Sequence, residues 1–89
     1  MLEEIIRVCQ DFRKETSDPT DKDRIFAIQR GLIPIIVAKE VQINAFNVSI
    51  RDFISNIYDR FPKSIKNPSN LETEECRRTI LKIMKNINY

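Results

Sequence analysis

The side chains able to do chemistry in this chain of 89 residues are charges, not nucleophiles or metal ligands. Histidine is absent, which removes the most common general base and metal ligand. The acids fall on exposed faces and in the first turns of expected helices: Glu3 and Glu4, Asp23, then Glu72, Glu74 and Glu75. There the positive end of the helix dipole accounts for them. One glycine, Gly31, cannot build a phosphate-cradling loop, so neither a P-loop nor a dinucleotide fingerprint is present. Cys9 and Cys76 both occupy inward positions of expected helices. They read as small buried hydrophobes, with a disulfide between the first and last helices as the alternative. Zinc would need two further ligands, and the sequence offers none. The expectation is a protein that is not an enzyme and uses no metal or cofactor.

What remains is binding, and two sets of residues stand out. The first is basic: Arg77, Arg78, Lys82 and Lys85 in the last helix, with Lys63 and Lys66 in the loop before it. Arg78, Lys82 and Lys85 recur at helical steps and share one side, so the stripe would meet an acidic partner or phosphates. The plain alternative is a solvated face whose bases pair with Glu74 and Glu75. The second set is apolar: Phe46 in the connector over Ile43 to Val48, which with Val41 and Ile43 would rim a groove for a partner. Net charge is only +2, but residues 1–23 carry seven acids and four bases, and residues 60–89 carry seven bases and three acids. The chain has an acidic end and a basic end.

The elements that must position these residues are helices. Leu2, Ile5, Ile6, Cys9 and Phe12 recur at three- and four-residue steps, which predicts a helix over 2–15. Thr16-Ser17-Asp18-Pro19 breaks it, and a second helix starts at Thr20 or Asp21. Ile25, Phe26, Ile28 and Leu32 give that helix an apolar face. Pro34 lacks the N–H that would bond Arg30, so a break or sharp kink is expected between Gly31 and Pro34. A further helical piece then runs to about Gln42. Leu32-Ile33-Pro34-Ile35-Ile36-Val37 is apolar all round and reads as the most buried segment; as a strand it would have no partner strand. The third helix is the clearest: Ile50, Phe53, Ile54, Ile57, Tyr58 and Phe61 form one stripe, Asn47 or Ser49 caps it and Pro62 stops it. A loop over 62–70 leads to a Ser69-Asn70-Leu71-Glu72 capping box. The last helix follows, with Cys76, Ile80, Ile83, Met84 and Ile87 inward.

Composition agrees with this pattern. The chain is 42% hydrophobic and 31% charged, as a folded globule requires, and one glycine with four prolines is too few for the turns of a small β-sandwich. Fifteen isoleucines against four leucines, with frequent asparagine, read as AT-rich coding and suggest a virus, phage or AT-rich microbe. No run of apolar residues is long enough to span a membrane. The acidic start Met1-Leu2-Glu3-Glu4 is unlike a signal peptide, and a reducing cytoplasmic or nuclear setting is expected. The fold expected is all-α: one domain over 1–89, a small irregular bundle of four to five helices, the second broken or kinked at Gly31–Pro34. The function expected is a non-enzymatic protein–protein interaction module, an adaptor or regulatory subunit, including a viral or phage protein that engages a host protein. It would use an apolar groove or a dimer face, and its partner would be an acidic or helical segment or a second copy. A nucleic-acid-associated protein using the basic last helix is the alternative, and one unit of a larger helical array is a third reading.

Overall fold

The computed structural model describes residues 1–41 and 48–87. Ile43, Phe46 and Asn47 of the connector lie outside the described residues. Four α-helices are present among those described: α1 (Leu2–Glu15), α2 (Pro19–Val37), α3 (Ile50–Arg60) and α4 (Thr73–Asn86). A single tight turn of 3-10 helix, Pro68–Asn70, precedes α4, and no described residue is in a strand. The fold is all-α. No helix is long and apolar enough to cross a membrane.

The bundle is organised around α2, which packs against the other three helices and against the 3-10 turn. Ile5 and Cys9 of α1, Ile28, Leu32 and Ile35 of α2, Phe53, Ile54 and Ile57 of α3, and Cys76 and Ile80 of α4 are wholly buried. These are the positions that helical spacing places inward, because side chains three and four apart share a face. Both cysteines are free and buried within this core. Burial pushes the Cys9 thiol up to about 12 and the Cys76 thiol up as well, so neither is a nucleophile at neutral pH.

The second helix is where the structure departs most from the sequence reading. It is one helix, not two. It starts at Pro19, because the Asp18 side chain accepts from the Thr20 N–H at 2.9 Å and proline suits the first helical position. The residue read as a breaker is thus the first residue of the helix. The helix then continues through Gly31 and Pro34 to Val37 instead of ending at a break. Proline within a helix costs about 3 kcal/mol; the complete burial of Leu32 and Ile35 on either side of Pro34 offsets that cost. The segment is also less enclosed than its composition suggests. Ile33, Pro34 and Ile36 are half-buried, and Val37 is 66% exposed. Phe26, expected on the apolar face, is on the surface under the guanidinium groups of Arg13 and Arg30, 5.3 and 5.8 Å from the ring centre.

α2 stops at Val37, short of Gln42, because the chain reverses there. The Lys39 N–H donates to the Ile36 carbonyl at 3.1 Å, and the Glu40 N–H donates to the Ile35 carbonyl at 3.0 Å. These are the two bonds of a Schellman ending, which needs a left-handed residue. Lys39 supplies it with φ 54°, a conformation that costs a residue with a Cβ about 1 kcal/mol. Lys39→Gly is therefore expected to stabilise the protein by about 0.5–1 kcal/mol, read as a higher urea midpoint with an unchanged slope.

The start of α4 also differs. Ser69 does not cap it. The helix begins at Thr73 with Glu72 in the cap position and no side-chain cap bond. Ser69 sits inside the 3-10 turn, whose Pro68 is buried in the core. Arg30 of α2 donates from Nη1 to the Ser69 carbonyl at 2.9 Å and from Nη2 to the Leu71 carbonyl. That grip holds Leu71 and Glu72 extended and delays the helix until Thr73.

Candidate functional site

The site grows out of one close contact. A Cβ on Gly31 would lie 2.5 Å from Ile80 Cδ1 and 2.8 Å from the backbone carbonyl of Cys76. Only glycine lets α4 lie this near α2, and that seating buries Cys76, Ile80 and Ile83. With those residues inward, the next strip around α4 carries Arg78, Leu81, Lys82 and Lys85, at steps of three and four residues. Val41, just beyond the turn that ends α2, stands opposite. Together Val41, Arg78, Leu81, Lys82, Met84 and Lys85 line a groove of about 540 Å³. Its apolar wall is Val41, Leu81 and Met84, all half-buried; its rim is Arg78, Lys82 and Lys85, all exposed.

Adjacent arginines in α4 have opposite situations. Arg77 is held between two carboxylates. It bonds Glu40 at 2.9 and 3.0 Å and Glu74 at 2.5 and 2.9 Å, with a quarter of its side chain exposed. The Arg77 hydrogen bond holds the Glu74 carboxyl down to about 2, and the Arg77 guanidinium is pushed further up in turn, first by its bond to Glu74. Arg77 is a positioning residue: through Glu40 it ties α4 to the turn that carries Val41. Arg78 pairs with one carboxylate, Glu74 at 3.4 Å, and its side chain is 74% exposed. Lys82 and Lys85 have no ion pair among the described residues. The structure thus brings Val41 together with Arg78, Lys82 and Lys85, two sets that the sequence reading kept apart, and withdraws Arg77 from them.

Lys63 and Lys66 do not wall this groove. Lys66 is exposed in the loop after α3. Lys63 lines a different cleft, with Asp18, Asp21, Arg24, Tyr58 and Asp59. Asp21, Tyr58 and Asp59 also border a neighbouring hollow of about 290 Å³ with an apolar floor of Phe12, Ile25 and Ile54. Most acids of this region already have structural partners. Asp18 caps α2. Glu15 is paired with Arg51 at 2.7 Å. Asp21 accepts from the Tyr58 hydroxyl, and that bond is the main reason the phenol is pushed up to about 12. Tyr58, on the apolar stripe of α3, is half-buried against the core, with its hydroxyl on Asp21.

Two further arginines escaped the sequence reading. Arg24 and Arg30 project from α2 onto carbonyls of the loop between α3 and α4, and Arg24 is 8% exposed. Their one sequence signal was a charge beside an apolar face, which every amphipathic helix shows. Leu81 also went unnoticed as a groove residue. Among the described residues, no three histidine, cysteine, aspartate or glutamate side chains come together as metal ligands.

No family model, no curated protein and no solved structure matches this chain.

Proposed function

We propose that this protein is a protein–protein interaction module, an adaptor or regulatory subunit, that receives its partner in the groove between Val41 and α4. The observation that carries the reading is the groove's composition: an apolar wall for burial and a rim of exposed cations, of which Lys82 and Lys85 have no ion pair among the described residues. A contact surface needs both, since apolar burial supplies affinity and charge supplies selection and speed of encounter. Arg77 and Glu40 add a reason to regard the groove as preformed, because they fix Val41 against α4 before any partner arrives. A reducing intracellular setting suits the two free, buried thiols.

The test is position-resolved cross-linking. A photoreactive benzophenone side chain replaces Leu81 in one sample and Glu4, on the exposed face of α1, in another. Irradiation in an extract of the cells that make the protein is expected to give protein adducts at position 81 that persist after nuclease treatment. Those adducts should be absent at position 4 and lost when Lys82 and Lys85 are both changed to glutamate. Adducts at position 81 that nuclease removes would instead favour a nucleic acid, and equal adducts at both positions would remove the groove from function.

A further inference from the structure

Resting on that reading, we infer that the groove's occupant is an acidic amphipathic helix, with its apolar side chains against Val41, Leu81 and Met84 and its carboxylates on Arg78, Lys82 and Lys85. Charge is the first argument. Three cations on one edge, only one of them near a carboxylate, make a positive border. They lie at steps of four and three residues and so run along α4 for about 10 Å. A helix with glutamate or aspartate at matching steps presents its carboxylates in the same straight row.

Backbone chemistry decides between a helix and an extended strand. Five of the six described residues that line the groove belong to α4, whose backbone groups bond within the helix, so a strand laid there finds few backbone partners. Each N–H or C=O group it buried without a bond would cost about 1–3 kcal/mol. A helix satisfies its own backbone groups and presents only side chains. Met84 suits such a ligand, because its flexible thioether adapts to apolar anchors of different shape. A nucleic acid fits less well. Among the described residues the groove's lining has no aromatic ring on which a base would stack, three cations would neutralise about three phosphates, and the apolar wall would face a charged backbone.

The probe is a fluorescein-labelled, helix-forming peptide of about 16 residues, with leucines at alternating steps of three and four and glutamates flanking them. Three companions are titrated beside it: glutamates replaced by lysine, leucines replaced by serine, and a DNA duplex. Fluorescence anisotropy at low salt is expected to show saturable binding of the acidic peptide by the full chain. Affinity should fall at least about tenfold for either altered peptide and for the chain with Lys82→Glu and Lys85→Glu. A Lys82→Gln, Lys85→Gln chain should fall between, and circular dichroism checks that both variants keep their helices. Equal binding of the acidic and lysine peptides overturns this inference and leaves the groove as a protein site. Failure of every peptide overturns it too, with the cross-linking result deciding the wider reading. Duplex binding without acidic-peptide binding overturns both. Sedimentation closes the remaining route: self-association abolished by Lys82→Glu and Lys85→Glu would make a second copy the occupant.

Discussion

Gly31→Ala is expected to lower the melting temperature by roughly 5–15 °C, although alanine is the better helix former. In an isolated helix the exchange would gain about 1 kcal/mol. Here the new methyl would stand 2.5 Å from Ile80 Cδ1 and 2.8 Å from the Cys76 carbonyl. The end of the Ile80 side chain can rotate away. The Cys76 carbonyl is part of the α4 backbone and moves only if α4 moves. Overpacking of this kind costs about 1–3 kcal/mol, and displacing α4 loosens the burial of Cys76, Ile80 and Ile83 as well. With the loosened burial added to the overpacking and the helix gain subtracted, the net expectation is a loss of about 1–2 kcal/mol. Thermal unfolding followed by circular dichroism measures it. A rise in melting temperature would mean that α4 does not sit on Gly31. The same variant should weaken groove binding, since the rim of Arg78, Lys82 and Lys85 is carried on the displaced helix.

Arg24→Ala is expected to cost about 2–3 kcal/mol, seen as a lower urea midpoint with an unchanged slope. The Arg24 guanidinium donates to the Pro62 carbonyl at 3.1 Å and to the Lys63 carbonyl at 3.0 Å, with 8% of the residue exposed. Removing it leaves both carbonyls short of a donor where α3 hands over to the loop. Arg24→Lys should recover less than half of the loss. A lysine ammonium is a compact point charge and cannot reach two carbonyls with the fixed fork of a guanidinium. A change below about 0.5 kcal/mol for Arg24→Ala would place it with ordinary surface substitutions and show that the loop is anchored elsewhere.

The two arginines of α2 explain why the path between α3 and α4 was hard to read. Arg24 grips the start of that path and Arg30 its end. Both reach acceptors close to forty positions away in the chain. A capping-box pattern over Ser69 to Glu72 concerns four neighbouring residues, and it loses when a distant guanidinium holds Leu71 extended. Pro34 teaches the same point from the other side. Its local rule predicts a break or a sharp kink; the break does not occur, and the burial of Leu32 and Ile35 keeps α2 continuous.

The residue pattern alone gives the all-α fold, the span of α1 over Leu2–Glu15 and most of α3. It narrows the cap of α3 to Asn47 or Ser49, of which Ser49 Oγ accepts from the Asp52 N–H at 3.1 Å, and it places Cys9 and Cys76 inward. These are consequences of periodicity and of first-turn chemistry, which act over one or two turns of helix. Which charges are paired and which stay exposed depends on how the helices meet. Arg77 and Arg78 are neighbours of one type, yet Glu40 claims the first and leaves the second exposed on the groove. Val41 and Lys85 are more than forty residues apart, yet they wall the same groove. Which residues meet there depends on how closely α4 can approach α2, and that distance is set by the missing side chain of Gly31.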